Sequence, residues 1–127
     1  MDAVRCTDAL AERIRSFSMA HGDRWATATR AEGECDIASA AFDRHLSDSG
    51  FAEPHGVYEF WIEPTDCQEG ENHFANVVTD GGTELVIDWT ARQFGTDASG
   101  VPPPYPFVAP VPAYVDAFGW ESTAIAV

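Results

Sequence analysis

Apolar positions near the start of the chain recur at helical spacing. Leu10, Ile14 and Phe17 fall at i, i+4 and i+7, so residues Ala3 to Met19 are expected to form an amphipathic helix, with His21-Gly22 as its stop. A short segment, Arg24 to Ala31, leads to Gly33-Glu34-Cys35. From Asp36 the same period returns: Ala38, Ala41, Phe42, His45 and Leu46 share one stripe, closed by Gly50. Beyond Gly50 the period shortens towards two. Val57 to Ile62 reads as a strand stopped by Pro64, Thr65 to Asn72 as a polar loop, and Phe74 to Val78 and Leu85 to Trp89 as two more strands joined across Asp80-Gly81-Gly82. Gly95 to Pro112 holds six of the eight prolines and is expected to be loop, lying along its own domain; Ala113 to Trp120 can close the chain as a short helix.

Helices followed by strands imply an α+β fold, with two N-terminal helices packed on an antiparallel sheet of three or four strands. At 127 residues and 45% hydrophobic content, one domain spanning 1–127 is expected, burying about two-thirds of its unfolded surface. No apolar run approaches the roughly 20 residues of a membrane helix, and Met1 to Ala20 carries Asp2, Asp8 and Glu12, unlike a secretion signal. A cytoplasmic location follows as the expectation, with export by a signal-independent route as the alternative.

The net charge of −14 changes the picture of partners: all seven basic residues are Arg, and there is no Lys. Such a field repels nucleic acid and anionic membranes and favours a basic protein or peptide. The oligomeric state is not addressed by any of these features. Three cysteines in a chain able to build its own core point to free thiols.

Of the three, Cys35 has neighbours that suggest chemistry. It stands where a helix begins, with Gly33 permitting close approach; a helix N-terminus and a nearby imidazolium stabilise a thiolate, and unpartnered first-turn N–H groups can receive an oxyanion. The alternative is a small buried hydrophobe at a helix entry. The hairpin adds to it. Asp80-Gly81 is a preferred two-residue type I′ loop, and stepping outward from it brings His73 opposite Asp88, with Cβ atoms about 4.5–5.5 Å apart. If Gly81-Gly82 is the loop instead, Asp88 faces Ala75 and stands diagonally from His73, still within reach. Either way a carboxylate would fix the imidazole and leave its other nitrogen for a thiol. Cys35, Cys67, His73 and Asp88 also form a candidate zinc set, but no close Cys or His pair anchors it, so no metal and no cofactor is expected. His21, His45 and His55 lack such company, and His45, on the helical stripe, reads as a core histidine.

The stretches Gly33-Glu34-Cys35-Asp36-Ile37-Ala38, His73-Phe74-Ala75-Asn76-Val77-Val78 and Val86 to Phe94, in that order, resemble the papain-like fold. They are most similar to the compact bacterial papain-fold and transglutaminase-like proteins that include protein-glutamine deamidase toxins and effectors. The resemblance covers about residues 33–94. It implies Cys35 as nucleophile, His73 as general base and acid, and Asp88 as its orienter, with Trp89 as an aromatic shield. One departure concerns the oxyanion contact: papain-like proteases carry a Gln a few residues before the Cys, where this chain has Thr29. That contact would fall to the Cys35 N–H, or to Gln93 if it folds back. The implied function is a cysteine hydrolase or acyl transferase acting on a carboxamide: a protein glutamine first, then a peptide or isopeptide bond. The competing class is a catalytically inactive papain-fold binding or inhibitor protein that uses its acidic surface and Pro-rich loop against a basic partner.

Overall fold

The computed structural model describes residues 6–66, 70–95 and 101–125. Helix α1 (Asp8–His21) is started by Thr7, whose hydroxyl accepts from the Leu10 N–H, and is ended by Gly22 at a φ of 58°. A single turn, α2 (Ala28–Ala31), precedes α3 (Cys35–Asp48), whose Ala38, Phe42 and Leu46 are buried along the expected stripe. His45 on that stripe is half-buried between α1 and α3, its Nε2 2.8 Å from Ser16 Oγ.

The sheet has five strands, one or two more than the periodicity implied. They are β1 (His55–Ile62), β2 (Glu71–Asp80), β3 (Thr83–Asp88), β4 (Phe107–Pro110) and β5 (Ser122–Ile125), in the order β4-β3-β2-β1-β5 with every neighbouring pair antiparallel. The class is α+β, as expected. The Pro-rich stretch is not loop throughout: Phe107–Pro110 pairs with Leu85–Asp88 as an edge strand, and Val111–Phe118 continues as helix α4 with Pro112 in its first turn. Proline is tolerated at both places, since an edge strand and a helix start leave N–H groups unused in any case. Residues 101–106 do pack along the domain: Arg92 donates to the carbonyls of Pro103 (2.9 Å) and Ala26 (2.8 Å), and Tyr105 donates to that of Gly22 (3.1 Å).

The β2–β3 hairpin turns on Gly81-Gly82, not on Asp80-Gly81; Asp80 is still in the ladder, opposite Thr83. Both glycines have positive φ, 60° and 88°, which an Asp would adopt less readily. Asp80 is also occupied elsewhere: its carboxylate receives the Thr7 N–H (2.8 Å) and the Thr7 hydroxyl, tying the start of α1 to the hairpin. The register therefore differs by two residues from the one that sets His73 opposite Asp88. A shift of two conserves the face to which each side chain points.

Alternation along β2 and β3 divides the interior into two clusters. Val78, Leu85, Ile87 and Trp89 pack under α1 and α3 with Phe17, Trp25 and Phe42. Ala75, Val77 and Val86 pack on the other face with Phe60, Ala109, Tyr114 and Trp120. The expected terminal helix forms two residues earlier than Ala113 to Trp120, as α4, and its Tyr114 packs on this second face. Among the described residues no helix is long and apolar enough to cross a membrane.

Candidate active site

Cys35 is the first residue of α3, and no side chain caps that end; the first helical hydrogen bond runs from Ala38 N–H to the Glu34 carbonyl. The N–H groups of Cys35, Asp36 and Ile37 therefore precede the helical ladder and point out of its positive end. Gly33, at a φ of 75°, makes the turn that delivers the chain to this position. A Cβ at Gly33 would meet nothing within 4 Å, so its contribution is conformational and not a contact with the site. Below the cysteine, Ser39 Oγ donates to the Cys35 carbonyl (2.6 Å) and Asn76 Nδ2 donates to the Ser39 carbonyl (2.8 Å), fastening this turn to β2.

His73 and Asp88 stand on the opposite, α4-facing side of the sheet, at the end where α3 begins. Each is only 1% exposed. His73 Nε2 lies 2.8 Å from Asp88 Oδ2, so the diagonal arrangement gives a full hydrogen bond. Asp88 is held from every side: Tyr114 donates to the same Oδ2 (2.6 Å), and the Thr90 N–H (2.9 Å) and hydroxyl (3.3 Å) donate to Oδ1. The His73 ring is stacked on Trp120, parallel within 1° at 5.8 Å between centroids, and meets the edge of Phe94 at 4.9 Å.

With Nε2 engaged, Nδ1 is the ring nitrogen left for the cysteine. The Cys35 thiol stands next to the His73 ring and the Phe74 backbone, near enough for both to favour its charged form. Gln93, on the 3₁₀ turn Ala91–Phe94, folds back so that its Nε2 lies 2.7 Å from the same Nδ1. The carboxamide can serve either state of the ring: its oxygen accepts from Nδ1–H when His73 is protonated, and its nitrogen donates when His73 is neutral.

Electrostatics favour the charged pair. Burial pulls the His73 pKa down, but the Asp88 charge and hydrogen bond, with the contacts to Cys35, outweigh it and raise the value to about 9. Burial pushes the Cys35 thiol up, and the hydrogen bonds from His73 and Phe74 with the imidazolium charge overcome it, so its pKa is lowered. Asp88 follows the same logic: burial opposes its charge, and His73, Tyr114 and Thr90 restore it, to a net lowering. The arrangement therefore favours the thiolate and the imidazolium over the neutral pair. Cys6, the other described cysteine, moves the opposite way, raised by burial and by the Asp80 charge.

Cys35, His73, Asp88 and Gln93 are thus brought together at one place in the fold. Trp89 is not among them: its ring lies 4.8 Å from Phe17 and 5.4 Å from Phe42, in the cluster on the other face, because it alternates with Asp88 along the chain. Trp120 and Phe94 cover His73 in its place. The site also reaches beyond residues 33–94, since Tyr114 and Trp120 complete it. Cys67 lies outside the described residues, and among the described ones no three His, Cys, Asp or Glu side chains are grouped to hold a metal ion.

No protein-family model and no curated protein matches the chain. Among solved structures, the catalytic domain of the Salmonella virulence factor SseI is similar, with a TM-score of 0.58 and 19% identity over 87% of this chain. The chain spans 64% of that domain's length. The C-terminal region of Pasteurella multocida toxin, described as having a thiol-protease-like catalytic triad, matches at a TM-score of 0.47 and 17% identity, over 86% of this chain and 16% of the toxin chain. The likeness to the SseI domain shows the fold, a papain-like α+β arrangement, and at this identity the fold alone.

Proposed function

We propose that the protein is a cysteine-dependent acyl-transfer enzyme that acts on a carboxamide, with a protein glutamine side chain as the substrate. The single observation that carries this reading is the buried His73–Asp88 pair with Cys35 beside it at the uncapped start of α3. The shared fold of an effector catalytic domain supports it.

In this reading the Cys35 thiolate attacks the carboxamide carbon, and the oxygen takes the charge against the first-turn N–H groups of α3 and the Gln93 amide. The His73 imidazolium gives its proton to the departing nitrogen, which leaves as ammonia, and a thioester remains on Cys35. Neutral His73 then takes a proton from water as water attacks the thioester. A carboxylate leaves, and the thiolate–imidazolium pair is restored. An amine in place of water would give transfer. Asp88 holds the ring throughout and keeps its own charge.

The test is ammonia release, with the accompanying mass gain of about 1 Da per Gln converted to Glu, from a panel of glutamine-containing proteins, comparing the native chain with Cys35→Ala. Conversion by the native chain alone supports the reading. Release of a cleaved peptide without ammonia would move the assignment to a peptidase. Turnover unchanged in Cys35→Ala would remove Cys35 as the nucleophile, and absent turnover would leave the inactive, partner-binding reading, for which the contact of Gln93 with His73 Nδ1 is the favouring observation.

A further inference from the structure

An apolar cavity of about 480 Å³ opens directly beside the candidate active site. Its walls include Phe94, Phe107, Phe118 and Trp120, closed by Pro103 and its neighbouring prolines, with Glu71 as the one charged lining residue among those described. Two of these walls are also the faces of the His73 cage. Phe94 meets the imidazole edge at 4.9 Å and Trp120 stacks on it at 5.8 Å, so these two rings are the wall shared by the cavity and the His73 cage. The aromatic walls support one another: Phe94 lies 5.4 Å from Phe118 and 5.7 Å from Trp120, and Phe107 lies 5.1 Å from Phe118. The volume falls in the range of roughly 300–1,000 Å³ typical of built ligand sites, where apolar walls carry few polar groups.

The α4-facing layer thus holds a preformed recess that the chemistry on Cys35 and His73 does not itself require. Resting on the carboxamide-directed reading above, we propose that this cavity is a specificity pocket that takes one aromatic or large aliphatic side chain of the protein substrate, next to the reacting carboxamide, with a basic substrate residue at Glu71. The occupant follows from the lining and the charge. Offset and edge-on aromatic walls favour a ring. A mouth carrying Glu71, on a chain of net charge −14, attracts a cation and repels an acidic neighbour.

Affinity labelling of Cys35 separates this proposal from the reading it rests on. The probes are iodoacetamide, N-(2-phenylethyl)iodoacetamide and its analogue carrying a guanidinium on the ring, with the labelled residue identified by peptide mass. The pocket predicts that the phenylethyl reagent labels Cys35 about tenfold faster than iodoacetamide, with saturation in reagent concentration, a factor that partial burial of one ring supplies. Ala117 lines the cavity from an exposed position on α4, outside the His73 cage, so Ala117→Trp adds bulk at the recess. That variant should bring the ratio near one and leave the plain iodoacetamide rate unchanged. Glu71→Gln should remove the advantage of the guanidinium reagent and spare that of the phenyl one. A ratio near one in the native chain, or a ratio that survives Ala117→Trp, overturns the pocket even if Cys35 reacts fast with iodoacetamide. Slow iodoacetamide labelling of Cys35 instead strikes at the nucleophile, the failure of the underlying reading.

Discussion

The two faces of one sheet are built from alternate residues of the same strands, yet they are held together differently. Under α1 and α3, Val78, Leu85, Ile87 and Trp89 meet Phe17, Trp25 and Phe42 in an apolar, ring-rich cluster. Under α4, Ala75, Val77 and Val86 share the face with His73 and Asp88, and the cluster contains a continuous polar line from Tyr114 through Asp88 to His73. The first face gains stability through area and close packing. The second accepts buried charge, which is tolerable only because every polar atom of Asp88 finds a donor. The two described cysteines register this contrast. Cys6, partly buried against the first cluster beside Asp80, is pushed towards the neutral thiol; Cys35, at the helix start beside His73, is drawn towards thiolate.

The contrast breaks most sharply when one residue is removed from each face. Phe42 is fully buried, and Phe42→Ala should cost about 3–5 kcal/mol in denaturant unfolding while the molecules that remain folded keep their activity per site. His73→Ala should lower kcat/KM by about a thousandfold or more in the molecules that remain folded, because the general acid and base is lost. If His73→Ala leaves activity intact, or if Phe42→Ala removes it without unfolding the chain, the division of labour between the faces is wrong.

A smaller change sharpens the polar face itself. Tyr114→Phe conserves the ring that packs on Phe60 at 4.9 Å and deletes only the hydroxyl that donates to Asp88 Oδ2. Loss of a hydrogen bond to a charged group should cost about 1.5–3 kcal/mol of stability and about tenfold in kcat/KM. With one donor fewer, Asp88 attracts the imidazolium more strongly, so the alkaline limb of the pH–rate profile, set by His73, should move upward. A profile that keeps its position would reduce Tyr114 to packing.

Much of this was legible in the sequence. The 3.6 period placed α1 and α3 to within a few residues, and with them Cys35 at a helix start. The strand pair placed His73 and Asp88 on one face, and parity made that outcome independent of which two-residue loop formed. Local turn rules leave Asp80-Gly81 and Gly81-Gly82 both open, and what selects the second is a contact far along the chain, the hold of Asp80 on Thr7. Trp89 illustrates the converse. Adjacency to Asp88 suggested the site, while strand alternation sent the ring to the other cluster. Tyr114 and Trp120 had no local signal at all. They follow six prolines that mask an edge strand, and their partners lie 26 residues back for Tyr114 and further for Trp120. Such contacts are fixed by packing and not by periodicity.

The central claim is that Cys35 is a thiolate held by His73, and the pH dependence of its alkylation by iodoacetamide tests it most directly. Only the thiolate reacts, so a thiol whose pKa is lowered by an imidazolium keeps its rate as pH falls below the ordinary thiol range of about 8–9. The account predicts that Cys35 alkylates at pH 6.5 at a rate within a few-fold of that at pH 8, far ahead of Cys6, and that His73→Ala abolishes this advantage. A Cys35 rate that climbs about tenfold per pH unit up to the ordinary thiol range, equals that of Cys6, and is unchanged in His73→Ala would contradict it.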